Sequence, residues 1–329
     1  MRIESIGVIG GGAWGTALAQ VAAGKGHQTL LWAREADVVA GINERHENPL
    51  FLAGVPLSPA IRATADIAEL QSCDAWLVVT PAQHMRDVLA SAPACGKPLL
   101  LCSKGIEERS GALLHQVAHD VCPDADVMVL SGPTFAHEVA AGMPTALTLA
   151  AADVERAEQV RERLALPGFR LYLSDDLAGA EVGGAVKNVL AIACGVVDGK
   201  GLGQNARAAL IARGFAEMIR FGLASGARRE TLAGLCGLGD LVLTCSSTSS
   251  RNFSLGRGIG EGRSATELMS DRRTVAEGAF TAPVLHRLAG EREVDMPIVA
   301  AVNALLRGVA SVDDVLEGLL SRPPRVEAH

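Results

Sequence analysis

A short apolar run, Ile6-Gly7-Val8-Ile9, passes directly into Gly10-x-Gly12-x-x-Gly15 and then into small apolar residues from Ala17 to Ala23. Strand, glycine turn and helix in that order constrain the chain more than any other feature. The turn must be tight, and its backbone must be bare where something approaches it. The N–H groups of the helix N-terminus then face that approach, an arrangement suited to a dinucleotide's pyrophosphate. Gly10, Gly12 and Gly15 are therefore candidate cofactor-binding positions of a nicotinamide or flavin site.

The next apolar run, Gln28-Thr29-Leu30-Leu31-Trp32-Ala33, ends at Arg34, roughly 20 residues past the glycines, where an NAD site places a carboxylate for the ribose. A guanidinium cannot accept a hydrogen bond from a 2'-hydroxyl, but it can hold a 2'-phosphate through two parallel bonds. The expected cofactor is NADP(H), with NAD(H) also accepted because Glu35 partly offsets the Arg34 charge.

From Gln28 to about Leu173, short apolar runs alternate with helical stretches, with strands predicted at Ala75–Val79, Leu99–Ser103, Val127–Ser131, Ala146–Ala150 and Arg170–Leu173. Such alternation implies a mainly parallel sheet covered on both faces. After Ser174-Asp175-Asp176 the period becomes helical, over Ala180–Val197, Ala206–Ala224, Thr231–Cys236, Ala282–Leu288, Ile298–Leu306 and Val312–Leu320. The 329-residue chain exceeds what one core usually serves. The fold class expected is α/β: an N-terminal Rossmann-like, mainly parallel sheet over residues 1–177 that binds a dinucleotide, then an all-helical domain over 178–329 that holds substrate and catalytic groups.

Thirty basic against 37 acidic residues leave a net charge of −7, which argues against nucleic acid or an anionic membrane as partner. An anionic ligand must then be met by locally placed positive charge. No leader precedes the first strand and no apolar run reads as a membrane span, so a cytoplasmic location is expected. Cys73, Cys95, Cys102, Cys122, Cys194, Cys236 and Cys245 form no C-x-x-C pair and mostly lie in apolar segments, as free thiols do in a reducing compartment. His115 and His119 have a metal-like spacing but no acidic cluster beside them, so no metal is expected.

Several polar groups stand where chemistry is possible. Ser103-Lys104-Gly105 and Ser131-Gly132-Pro133-Thr134 stand at the C-terminal ends of predicted strands, where open parallel sheets bind ligands. In the apolar helix from Ala180, Lys187 and Asn188 share a face with Gly184, Ala191 and Gly195, so something approaches that face closely. A lysine buried there is costly unless paired or functional. Asp240 and Thr244 fall on one face if their segment is helical. Ser250-Arg251-Asn252 closes a hydroxyl-rich run that suits a phosphate monoester. Gly256, Gly258, Gly260 and Gly262 read as a mobile loop.

Together these segments resemble the bacterial-type NAD(P)-dependent glycerol-3-phosphate dehydrogenases over almost the whole chain. The resemblance is carried by Gly10-Gly11-Gly12-Ala13-Trp14-Gly15-Thr16, Arg45-His46-Glu47-Asn48, Ser103-Lys104-Gly105-Ile106 and Ser131-Gly132-Pro133-Thr134-Phe135-Ala136. It continues through Glu181-Val182-Gly183-Gly184-Ala185-Val186-Lys187-Asn188, Gly237-Leu238-Gly239-Asp240-Leu241 and Ser250-Arg251-Asn252. Thr134 stands where serine is commoner in that family, and Glu35 where a second phosphate contact such as histidine can occur.

The resemblance implies reversible reduction of dihydroxyacetone phosphate to sn-glycerol 3-phosphate for phospholipid synthesis. A homodimer is a candidate assembly that the sequence itself does not decide. It makes Lys187 the proton donor and acceptor. It puts Lys104, Asp240, Ser250, Arg251 and Asn252 at the substrate, and we add Gly132, Thr134, Asn188 and Thr244 from the same segments. Ala13, Trp14, Arg34, Lys104, Ala136, Arg251, Val275 and Glu277 join the glycines at the cofactor. On this reading burial and Lys104 lower the pKa of Lys187 while Asp240 raises it. A related two-domain hydroxy-acid dehydrogenase, a non-catalytic dinucleotide sensor and a structural protein with a dimerising helical half remain as alternatives.

Overall fold

The computed structural model describes residues 3–93, 96–270 and 276–323. In its first half β1 (Ile6–Ile9), α1 (Ala13–Ala22), β2 (Thr29–Trp32), α2 (Ala36–Arg45), β3 (Ile61–Thr64), β4 (Ala75–Val78), α3 (Met85–Ser91), β5 (Pro98–Leu101) and α4 (Leu114–Val121) alternate. β6 (Asp126–Ser131), α5 (Ala136–Ala140), β7 (Thr145–Ala151), α6 (Val154–Leu164) and β8 (Phe169–Ser174) complete it.

The strands form one eight-stranded sheet in the order β3-β2-β1-β4-β5-β6-β7-β8. Every residue of β1, β4 and β5 is buried, which is why these runs are continuously apolar. The strands from β3 to β6 are parallel, and β8 is parallel to β7. β7 runs antiparallel to β6, because α5 turns the chain back at the same end of the sheet without crossing to the other. The sequence reading did not include β3. Arg62 on that edge strand is exposed, which leaves only a weak apolar signal.

The second half comprises α7 (Leu177–Gly199), α8 (Gly203–Ala224), α9 (Arg229–Leu232), α10 (Asp240–Cys245), α11 (Arg251–Gly260), α12 (Ala265–Leu268), α13 (Glu277–Glu291), α14 (Pro297–Leu306) and α15 (Val312–Leu320). Among the described residues no strand follows β8. Asp176 caps α7, its carboxylate accepting the Gly179 N–H at 2.8 Å. From Gly179 to Val197 every residue of α7 is buried. The helix is long and apolar enough by composition to cross a membrane, yet it is the core around which the other helices pack.

Two expectations change here. Gly256, Gly258 and Gly260 do not form a loop but lie in α11, and of the glycines in that stretch only Gly262 has a left-handed φ, of +95°. The reason is close packing of α11 on α7. A Cβ on Gly256 would sit 1.9 Å from the Ile192 carbonyl oxygen, one on Gly260 2.4 Å from that of Val196, and one on Gly195 2.0 Å from that of Phe253. The helix expected over Thr231–Cys236 ends at Leu232. A wide turn, with Gly239 N–H bonded to the Gly234 carbonyl at 3.0 Å, replaces its second half and leads into α10.

Candidate active site

The parallel strands end in register, Ile9 beside Val78 and Val78 beside Leu101. Their C-terminal loops therefore crowd one edge of the sheet where the order reverses on either side of β1, the place such sheets bind ligands. Gly10 has φ +125°, and a Cβ there would lie 3.0 Å from the Val79 carbonyl oxygen. A Cβ on Gly15 would lie 1.9 Å from the Gly10 carbonyl oxygen, whereas one on Gly12 would meet nothing within 4 Å. Two glycines thus close the turn and the third leaves it open, as a pyrophosphate at the start of α1 requires.

The residues around this turn fit a dinucleotide. Ala13 and Trp14 form the first turn of α1, and Ala136 opens α5 on the neighbouring edge, all packed against the same core. The Trp14 Nε1 and the Thr80 hydroxyl are buried without a hydrogen-bond partner in the described structure, which leaves both open to a polar group of a ligand or to water. Arg34 stands at the end of β2 with its side chain 74% exposed and 3.7 Å from the Glu35 carboxylate, free to turn toward a phosphate. Glu277, the first residue of α13, is held near Ala82 and Arg251. Burial pushes its carboxyl up to about 7, opposed by the Arg251 charge and by the Ala82 N–H. Val275 lies outside the described residues.

A buried cluster of charged side chains lies where the halves meet. Lys187, one turn past Gly184 on α7, is 5% exposed, and Asp240 at the start of α10 is fully buried. The Lys187 Nζ donates to Asp240 Oδ1 and, at 3.0 Å, to the Thr244 hydroxyl. From the sheet half, Lys104 Nζ donates to Asp240 Oδ2 at 2.6 Å and to the Gly132 carbonyl at 3.2 Å. Thr244 is four residues beyond Asp240 in α10 and donates to Oδ1 at 3.3 Å. One carboxylate therefore serves two ammonium groups and a hydroxyl. Burial lowers the Lys187 pKa to about 7; Asp240 opposes the shift and Lys104 adds to it.

Gly184 makes the approach of Lys104 possible. A Cβ there would stand 3.2 Å from Lys104 Cγ and 3.2 Å from the Ser131 hydroxyl. The face of α7 singled out by the sequence is thus met at one end by the loops after β5 and β6 and at the other by α11. Asn188, on the same face, accepts from Asn252 Nδ2 at 3.0 Å, and Asn252 Oδ1 accepts the Gly278 N–H at 2.9 Å. These two bonds tie α7, α11 and α13 together.

The remaining candidates differ in what they are free to do. The Ser250 hydroxyl caps α11, accepting the Phe253 N–H at 3.2 Å. Arg251, first in that helix, is exposed. Gly132 needs its bare backbone because a Cβ would fall 2.9 Å from Leu147 Cα. Thr134 turns its hydroxyl to the Gly132 carbonyl at 3.4 Å.

Ser131, Thr80 and Glu181 were not among the site residues expected. The Ser131 hydroxyl is buried and without a partner in the described structure, like that of Thr80, and both stand at strand C-terminal ends, the one signal that points to them. Glu181, on α7 and fully buried, accepts the His115 N–H at 2.8 Å and lies 2.5 Å from the ring Nδ1 of the same residue. It joins α4 of the sheet half to the helix that carries Lys187, and burial raises its carboxyl above the usual range. No sequence periodicity reports such a long-range pair.

Comparison with known proteins points to one family. Residues 5–157 match the family profile described as NAD-dependent glycerol-3-phosphate dehydrogenase N-terminus, and residues 176–317 match that of its C-terminus. The chain is similar to a glycerol-3-phosphate dehydrogenase [NAD(P)+] of Erythrobacter litoralis, 62% identical over 98% of this chain and 97% of the relative. One of Novosphingobium aromaticivorans is 61% identical over 98% of each chain. A crystal structure of glycerol-3-phosphate dehydrogenase from Coxiella burnetii superposes with a TM-score of 0.92 at 37% identity, covering 97% of this chain and 99% of that one.

Proposed function

This chain belongs to the NAD-dependent glycerol-3-phosphate dehydrogenase family, and from that premise we propose how its own residues divide the work. It is an NAD(P)-dependent oxidoreductase acting on the CH–OH group of glycerol 3-phosphate. The observation that carries the assignment of roles is the buried Lys187, poised with a pKa of about 7 against Asp240 at the junction of the halves.

The cofactor, when bound, exchanges a hydride with the carbon of the substrate carbonyl. The protein must then supply and remove a proton at the oxygen, and hold both reactants in line. Lys187 Nζ is the proton donor in reduction of dihydroxyacetone phosphate and the acceptor in oxidation of sn-glycerol 3-phosphate. An ammonium has three donor hydrogens. Asp240 and Thr244 take two, and the third is left for the substrate oxygen. A lysine near pKa 7 can give or take that proton at neutral pH, which one near its free value of about 10.4 does poorly. Lys104 adds fixed positive charge where negative charge develops on oxygen.

Asn188, Asn252, Gly132, Thr134 and Thr244 line the substrate side of this reading, with Ser250 fixing the helix start that presents Arg251 to the phosphate. Ala13, Trp14, Ala136 and Glu277 line the cofactor side with the glycines, and Arg34 favours NADPH over NADH. The dinucleotide-binding unit ends near residue 177, a division supported by the end of β8 at Ser174 and the cap on α7 at Asp176. The product suits glycerophospholipid synthesis. A cytoplasmic location is supported by the six described cysteines, all buried and none in a disulfide.

Following NADPH and NADH absorbance with dihydroxyacetone phosphate, and with a panel of 2-keto acids, tests the reading. Oxidation with the phosphate ester is expected. Turnover confined to a keto acid would favour a hydroxy-acid dehydrogenase, and cofactor binding without turnover a sensor.

A further inference from the structure

We infer that Asn48 is a positioning residue whose side-chain amide fixes the glycine turn in the shape that receives the cofactor's pyrophosphate. Asn48 lies outside the turn, in the segment after α2, 37 residues from Gly11. Its side chain is fully buried. Nδ2 donates to the Gly11 carbonyl at 2.8 Å and to the Thr16 hydroxyl at 2.8 Å. Oδ1 accepts the N–H groups of Leu50 at 3.3 Å and Phe51 at 3.1 Å. A carboxamide has two donor and two acceptor positions, so every one is used. Aspartate, of the same shape, would turn an acceptor toward the Gly11 carbonyl, and the Thr16 hydroxyl could answer it only by giving up its own bond to that carbonyl.

The direction of these bonds matters for the turn. A trans peptide is planar, so the carbonyl of Gly11 and the N–H of Gly12 point opposite ways. Asn48 draws that carbonyl inward, helped by the Thr16 hydroxyl at 3.4 Å. The Gly12 N–H is thereby aimed away from Asn48, and a Cβ on Gly12 would meet nothing within 4 Å. Between two residues without side chains a peptide can flip at little steric cost, and the flipped form would present a carbonyl oxygen to a phosphate. Asn48 holds the donor-outward form before any ligand arrives, which lowers the ordering cost of binding.

The strut itself rests on an ordered segment. His46 ends α2 with a left-handed φ of +52°, its carbonyl accepts the Leu57 N–H at 2.8 Å, and the Asn48 carbonyl accepts that of Leu52 at 3.1 Å.

This inference rests on the glycine turn being the pyrophosphate site, so the experiment separates the two. NADPH affinity is measured by fluorescence titration for the full-length chain, Asn48→Asp and Asn48→Ser, with thermal melts alongside. Asn43→Asp is the control, because the Asn43 amide makes a comparable pair of bonds to the Ala63 backbone, at 2.9 and 2.8 Å, away from the turn. Both Asn48 variants are expected to bind NADPH about tenfold more weakly, with KM for dihydroxyacetone phosphate at saturating NADPH changed by less than about twofold. The Asn43 variant should lose thermal stability and keep its NADPH affinity. Unchanged affinity in either folded Asn48 variant, or an equal loss in the Asn43 variant, overturns the role of Asn48. Failure of the unaltered chain to bind NADPH overturns both this role and the reading beneath it.

Discussion

Lys104, from the loop after β5, reaches across to Asp240 at the head of α10, its Nζ 2.6 Å from Oδ2, while Lys187 takes the other oxygen of the same carboxylate. Residues 136 positions apart thus share an ion-pair centre made from both halves. Two cations on one buried carboxylate leave net positive charge, which suits an anionic substrate in a chain whose net charge is −7.

Replacing Lys187 by alanine should lower kcat by about 10²- to 10⁴-fold, the usual worth of a positioned acid–base group. Lys187 is on α7, away from the glycine turn, so the dissociation constant for NADPH should change by no more than about twofold. Single-turnover kinetics with a fluorescence titration check both. A near-normal kcat would remove Lys187 from its proposed role.

The depressed Lys187 pKa sets the pH dependence, with opposite signs in the two directions. Oxidation needs the neutral amine, so kcat/KM for glycerol 3-phosphate should rise with pH through an inflection near 7; reduction needs the ammonium, so its kcat/KM should fall above that pH. Lys104→Met removes a like charge and should move the inflection up. Asp240→Asn removes the group that holds the pKa up and should move it down. Shifts in the same direction would show that Lys187 is not the titrating group.

Arg34→Asp should raise KM for NADPH by about tenfold or more, since a charge-assisted pair to the 2'-phosphate is lost and a repulsive charge gained. NADH, which has no such phosphate, should be affected much less. Parallel steady-state assays with the two cofactors decide the matter, and equal losses would make Arg34 structural.

Arg251→Ala should reduce kcat as well as raise KM with dihydroxyacetone phosphate, because energy from the remote phosphate also aligns the carbonyl. A charge-assisted bond of this kind contributes roughly 1.5–3 kcal/mol, a tenfold or larger effect. Unphosphorylated dihydroxyacetone should be a very poor substrate for the parent and be little changed by the substitution. Equal losses on both compounds would place Arg251 at the cofactor beside Glu277.

The sequence by itself determined the strand–turn–helix at Ile6 to Ala23, the change of period after Ser174 and the burial of Lys187, because each is a local pattern of apolar spacing, glycine placement or an ion where none belongs. It also indicated that something presses on the α7 face holding Gly184 and Gly195, though not what. Only the tertiary structure decided that Lys104 presses at Gly184 and the Phe253 carbonyl at Gly195, that Gly256 and Gly260 belong to a helix contact, and that β3 completes the sheet edge. The contacts of Asn48 and Glu181, and the unpartnered state of the Thr80 and Ser131 hydroxyls, were illegible for the same reason. Their meaning lies in hydrogen bonds made or left unmade across long stretches of chain, and the energy of a buried polar group depends on where its partners end up in space. Periodicity along the chain reports which face is buried, but not the atom that meets it.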